Sequence, residues 1–227
     1  MKKTKLFLLH FAGGNKYSFQ FLLPLLNQFE AIPLELPGRG KRMNEPLIRD
    51  YKIAVNDYYE QIISKLDTDT EFLIYGHSMG ATLGLLVSKK LLETNKSPRT
   101  LIVTGSPGPY AEKEVVNRYK LPQREFIEEL KRLGGSRDEF LENEELFEFF
   151  EPILRADFEI LEKEIIDLED KLDLKIYAAM GDKETDVHQI TNWKRFTTSE
   201  FEYSVFEGDH FFIQQHAKRL AEIISEI

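Results

Sequence analysis

A strand-like apolar run, Phe72-Leu73-Ile74-Tyr75, stops at Gly76, and a helix-forming run from Ala81 to Leu92 begins just after Gly80. Between them the chain reads Gly76-His77-Ser78-Met79-Gly80, a G-x-S-x-G spacing. A strand that turns into a helix over so few residues must hold the central serine in a strained backbone conformation. The residues two positions either side must be small, because a side chain there would strike the turn. Both are glycine. The helix N-terminus then points at Ser78, so unpaired N–H groups and the positive end of the helix dipole face any negative charge formed there. An acyl-transfer intermediate would carry its oxyanion at that place. An ordinary glycine turn ahead of a helix is the plainer reading, and the strand before and helix after favour a nucleophile.

The chain has 227 residues, enough for one domain with an insertion and for a core that needs no covalent staples. It has no cysteine, which removes disulfides, thiolate nucleophiles and Cys-ligated metals and is compatible with a reducing compartment. The apolar run Leu6 to Phe11 is too short to span a membrane or to form a convincing leader, so the expectation is a cytoplasmic protein with no membrane partner. A net charge of −9 argues against nucleic acid. From Lys120 to Asp173 there are 18 acidic and 8 basic residues, a net of −10, so the acidity belongs to one segment.

In order, Leu6 to Phe11 reads as a strand buried on both faces, broken by Ala12-Gly13-Gly14. A helical pattern follows through Phe19, Leu22, Leu23, Leu26 and Phe29, then a strand from Ala31 to Leu36 and a helix near Asp50 to Leu66 with Ile53, Ala54, Tyr58, Ile62 and Leu66 on one stripe. After the elbow come a strand at Leu101 to Val103, one at Leu174 to Met180 with a helix through Trp193, one at Phe201 to Phe206, and a final amphipathic helix. This alternation predicts an α/β fold: a mostly parallel central sheet flanked by helices, with the active site beyond the carboxyl ends of the strands. The rhythm fails from about Lys120 to Leu168, where only helical periodicity appears. Pro122 suits a first helical turn, Gly134-Gly135 a helix end, Ser136-x-x-Glu139 a capping box and Asn143 a cap, with a separate longer helix after Pro152. The segment is expected to be a helical lid inserted at about 120–168 into a single domain spanning 1–227.

A serine nucleophile needs a base, and His210 lies in a loop after the last strand, where chain order Ser…acid…His expects it. His10, His77, His188 and His216 are expected to be structural. An acid must fix the base's tautomer. The loop Thr104-Gly105-Ser106-Pro107 has none, whereas the loop after Leu174 to Met180 offers Asp182, Glu184 and Asp186. The oxyanion needs two amides. Met79 should supply one, and the loop Phe11-Ala12-Gly13-Gly14 the other. A phosphate cradle at Ala12 to Lys16 is disfavoured, because the Gly-Lys-Ser/Thr ending is missing.

Over nearly its whole length the chain resembles the type II thioesterases that accompany nonribosomal peptide and polyketide synthases, members of the α/β-hydrolase superfamily. The resemblance rests on His10-Phe11-Ala12-Gly13-Gly14, Leu36-Pro37-Gly38-Arg39-Gly40, the elbow, Leu121-Pro122 through Gly134-Gly135, Pro152-x-x-Arg155-Ala156-Asp157-Phe158, and Gly208-x-His210-Phe211-Phe212. It implies a Ser78, His210, acid triad with the acid three residues after the loop glycine. Glu184 stands there in place of an aspartate, with Asp186 as the alternative. It also implies oxyanion amides from Ala12 and Met79, no metal and no cofactor. The implied activity is hydrolysis of aberrant or stalled acyl groups from the phosphopantetheine arm of an acyl or peptidyl carrier protein, by a monomer. The rivals are a carboxylesterase or lipase, and a non-catalytic binding protein of the same fold. Because carrier proteins of this type are commonly acidic, the basic loop Arg39, Lys41 and Arg42 is expected to steer one to the mouth.

Overall fold

The computed structural model describes residues 3–67, 70–109, 117–133, 141, 143–163 and 171–227. Six strands, β1 (Lys5–Leu9), β2 (Glu30–Pro33), β3 (Phe72–His77), β4 (Thr100–Thr104), β5 (Lys175–Gly181) and β6 (Phe201–Phe206), form one sheet in the order β2-β1-β3-β4-β5-β6. Every neighbouring pair is parallel. Each crossover therefore carries a covering layer, and side chains alternate between two cores. Phe7, Leu9, Ile74, Val103, Ile176 and Ala178 face one core, with α1 (Tyr51–Ile63) and α2 (Met79–Glu93). Leu6, Leu8, Leu73, Tyr75, Ile102 and Tyr177 face the other, against Phe19, Leu22, Phe212 and the carboxyl-terminal helices α5 (Phe212–Gln215) and α6 (Ala217–Glu226).

The same apolar residues are buried as the pattern predicts, but not always on α-helices. Phe19, Leu22 and Leu26 cover the sheet from a chain of turns joined by i→i+3 bonds such as Leu22 N to Phe19 O (2.9 Å) and Leu25 N to Leu22 O (2.9 Å). Pro24, inside the expected helix, has no N–H for a carbonyl four residues back. The expected helix through Trp193 is a 3-10 run, Val187–Phe196. Its apolar residues Val187, Ile190, Trp193 and Phe196 recur every third position, which is the 3-10 period. Asp50 caps α1 by accepting from the amides of Lys52 and Ile53, yet Ile53 is 58% exposed rather than on the buried stripe. The final helix is broken at His216, where α5 gives way to α6.

Between β4 and β5 lie α3 (Gln123–Leu133) and α4 (Glu144–Glu162). Asn143 caps α4 by accepting from the Leu146 amide. Pro152 does not start a new helix but lies inside α4. Phe147 before it and Ile153, Leu154 and Phe158 after it bury one continuous face, and that packing outweighs the missing hydrogen bond. Phe126, Leu130, Leu141, Phe147, Leu154 and Phe158 form a core of their own, and Ala12 packs against it. The Gly134-Gly135 helix end and the Ser136-x-x-Glu139 capping box fall outside the described residues.

Candidate active site

Ser78 sits at the junction of β3 and α2 with φ 55° and ψ −113°, a positive-φ conformation that few non-glycine residues adopt. The flanking glycines allow it. A Cβ on Gly76 would collide with the carbonyl of Gly80, and one on Gly80 with the carbonyl of Leu9. The Ser78 amide donates to Thr104 O (2.8 Å), which ties the elbow to β4. Met79 begins α2, so its amide has no acceptor within the helix.

His210 Nδ1 lies 2.7 Å from Glu184 Oε2. An ionised carboxylate only accepts, so Nδ1 carries the proton and Nε2 is left as the acceptor. The second oxygen, Glu184 Oε1, accepts from the Gly181 amide (2.8 Å), which holds the carboxylate on both sides. Asp182 Oδ1 accepts from the Gly208 amide (2.8 Å), and Lys183 donates its amide to Gly208 O (3.0 Å), so the acid loop and the histidine loop are stitched together. Of the three carboxylates that competed, Glu184 is the one that meets His210. Asp186 precedes the 3-10 run and makes no side-chain cap. His216 donates through Nε2 to Glu207 O (2.7 Å), and His188 is exposed.

His77 and His210 have ring centroids 4.9 Å apart, with Phe11 and Phe211 packed around them. His77 Nδ1 bonds Thr104 Oγ1 (2.9 Å), while its buried Nε2 has no hydrogen-bond partner among the described residues. Burial, and then the neighbouring His210, push the His77 pKa well below the ordinary imidazole value. Burial, and then the Arg39 charge, lower His10 to about 4. Both rings are neutral in the fold and titrate near 6.5 once unfolded. Below that pH the unfolded chain binds more protons than the folded one, so stability falls as the pH drops from about 6.5 towards 4. Unfolding in urea should show roughly 2 kcal/mol lost between pH 7 and pH 5 from His10, with His77 adding in the same direction. Equal or greater stability at pH 5 would show that neither ring is buried neutral.

The turn Phe11–Gly14 closes by Gly14 N to Phe11 O (2.9 Å), with Gly13 at φ 76°, the type II arrangement. Its Gly13 amide donates to Asp157 Oδ2 of α4 (2.7 Å). Among the described residues the amides of Phe11 and Ala12 are the donors this turn leaves free, and Ala12 is the one expected at the oxyanion. The base of the turn abuts the start of α2, since Gly80 lies against the carbonyls of Leu9 and His10.

The basic loop differs from expectation. Arg39 is 2% exposed and paired with Asp157 through two bonds, Nη1 to Oδ2 (2.6 Å) and Nη2 to Oδ1 (2.8 Å). Arg42 is held by Asp57 (2.7 and 2.8 Å) and by Glu45 (2.8 and 2.7 Å). Of the three, only Lys41 has an exposed side chain, and its amide is bound to the buried Glu35 (2.8 Å). Arg39 and Arg42 are therefore committed to the fold, and the loop does not present three free charges to a partner. Asp157 and Glu35 were missed as loop-holding residues. The signal for Asp157 was present: a lone acid at helical spacing from Ile153, Leu154 and Ile160 on a buried face.

The Thioesterase domain family model matches residues 4–227. Linear gramicidin dehydrogenase LgrE of Brevibacillus parabrevis is 31% identical over 96% of this chain and 85% of its own length. The probable anguibactin biosynthesis thioesterase AngT of Vibrio anguillarum is 30% identical over 94% of this chain and 87% of its own. Among solved structures, YbtT, the type II thioesterase from the yersiniabactin nonribosomal peptide and polyketide pathway, superposes with a TM-score of 0.87 at 26% identity, covering 99% of this chain and 92% of that one.

Proposed function

Because the chain belongs to the thioesterase domain family, whose chemistry is thioester hydrolysis, we propose that it removes aberrant or stalled acyl groups from the phosphopantetheine arm of carrier proteins, with Ser78 as nucleophile. Relatives named for anguibactin and yersiniabactin biosynthesis support this placement in nonribosomal peptide or polyketide synthesis. The dehydrogenase in the name of LgrE describes that protein. The observation that carries the hydrolase reading is the His210–Glu184 bond at 2.7 Å on the loop beside the strained Ser78 elbow.

His210, held by Glu184 with Nε2 free, takes the proton of Ser78 as the hydroxyl attacks the thioester carbonyl. The oxyanion is stabilised by the amides of Met79 and Ala12. The thiolate of the arm leaves with the proton from His210. His210 then activates water, which hydrolyses the acyl-Ser78 ester and restores the free hydroxyl. The helical segment carrying α3 and α4 acts as the lid, its apolar core lying over Ala12 and covering the acyl chain. None of these steps calls for a metal or a bound cofactor.

Mass spectrometry of an acyl-carrier protein incubated with the enzyme tests the reading. The acyl mass should disappear and the free-thiol carrier appear, at a rate well above that for a simple oxygen ester of the same acyl group. An intact acyl-carrier alongside rapid oxygen-ester turnover would point to a carboxylesterase instead.

A further inference from the structure

The oxyanion turn is gripped from outside the sheet. Asp157 Oδ2 accepts from the Gly13 amide (2.7 Å), and Arg39, paired to both oxygens of Asp157, also donates to Gly14 O (3.3 Å). Asp157 is 0% exposed and Arg39 2%. Above the same turn, a Cβ on Gly13 would lie 2.6 Å from Leu154 Cδ2 of α4. Type I and type II turns differ by a flip of the central peptide, here Ala12–Gly13. Gly13 at φ 76° accepts the type II form at little steric cost, so its own preference does not choose between them. The Asp157 carboxylate does choose, because it needs the Gly13 N–H pointing at α4.

We propose that Asp157 and Arg39 are positioning residues for the oxyanion hole: by holding the Gly13 N–H and the Gly14 carbonyl they fix the turn whose leading peptide, Phe11–Ala12, carries the Ala12 N–H, and they make the seating of α4 a condition for a formed hole. The inference rests on the proposed serine mechanism. It goes further in placing control of the hole on the helical segment.

Two variants separate the parts. Arg39→Met with Asp157→Leu removes both charges together and leaves the Gly13 amide without its acceptor. Asp157→Asn keeps the shape and a weaker, neutral acceptor. Each is measured for kcat and KM on an acyl-pantetheine thioester, for inhibition by an alkyl boronic acid that forms a tetrahedral adduct on serine, and for binding of the unreactive acyl-pantetheine amide. In the double variant kcat should fall about 100-fold, in the range for loss of one oxyanion donor. The boronate constant should rise in step, and amide binding should stay within about twofold. Asp157→Asn should show the same pattern at about tenfold or less. A folded variant, by melting temperature and circular dichroism, in which kcat and boronate affinity are unchanged overturns the inference. So does one in which amide affinity falls as far as boronate affinity, which would mark a general collapse of the cleft. Failure of the boronate to inhibit the wild-type enzyme would instead strike at the serine mechanism itself.

Discussion

Ser78→Ala is expected to lower turnover of an acyl-carrier thioester by roughly 10⁴-fold or more, since nucleophile and base act as a unit, while the residual rate reflects the oxyanion amides and binding alone. The fold should survive. Alanine keeps the Cβ that already sits at φ 55°, and the strained turn is imposed by Gly76, Gly80 and the Ser78 amide bond to Thr104 O, none of which involves the hydroxyl. The melting temperature should therefore hold or rise, as when a functionally strained site loses its reactive group. Turnover within a few-fold of wild type in a folded Ser78→Ala protein would remove the nucleophile assignment.

The parts of the molecule that sequence made legible are those governed by local rules. The continuous apolar runs at Leu6 to Phe11 and Phe72 to Tyr75, and the return of strand patterns between helical ones, were enough for a parallel sheet covered on both faces. The elbow was legible because the clash that demands Gly76 is with Gly80 and Ala81 within the motif itself, although Gly80 in turn packs against the distant carbonyls of Leu9 and His10. Chain order and loop position singled out the loops bearing Glu184 and His210. What local rules alone could not separate was which of Asp182, Glu184 and Asp186 meets the histidine; only the family resemblance put Glu184 ahead of Asp186. That arrangement depends on Gly208 N capturing Asp182, a bond between the loops that follow the paired strands β5 and β6, while the Gly181 N bond to the other Glu184 oxygen is local.

Long-range ion pairing was the other blind spot. Arg39, Lys41 and Arg42 look alike as a run of surface charge, since a basic residue in a loop is ordinarily solvated. Their partners Asp157 and Asp57 lie far along the chain, and with them found, two of the three charges become structural. Helix type was misread for a different reason. Apolar spacing reports which residues face the core, and Phe19 to Leu26 and Val187 to Phe196 do face it. It does not report whether Pro24 or a strict three-residue repeat will tighten the turns.

The partner of His210 gives the second large effect. Glu184 is gripped on both oxygens by donors, Nδ1–H of His210 at one and Gly181 N–H at the other. In Glu184→Gln one of the two positions must become an NH2. If the amide oxygen keeps the Gly181 bond, the NH2 faces Nδ1 and stabilises the tautomer protonated at Nε2. That tautomer cannot accept the Ser78 proton, so kcat should fall by about 10³ to 10⁴, the scale seen when a triad acid loses its charge but keeps its shape. If the side chain turns over, the NH2 faces the Gly181 amide and that bond is lost instead, with strain in the loop that positions the acid. Glu184→Asp retains the charge but is one methylene too short to hold both donors at once, so its loss should be smaller. Asp186→Asn should leave kcat within a few-fold, because Asp186 lies at the start of the 3-10 run and its side chain caps nothing there. Initial rates for the three variants on one acyl-pantetheine thioester decide the matter. A severe loss in Asp186→Asn beside a mild one in Glu184→Gln would reverse the assignment and would mean that the loop rearranges when substrate binds.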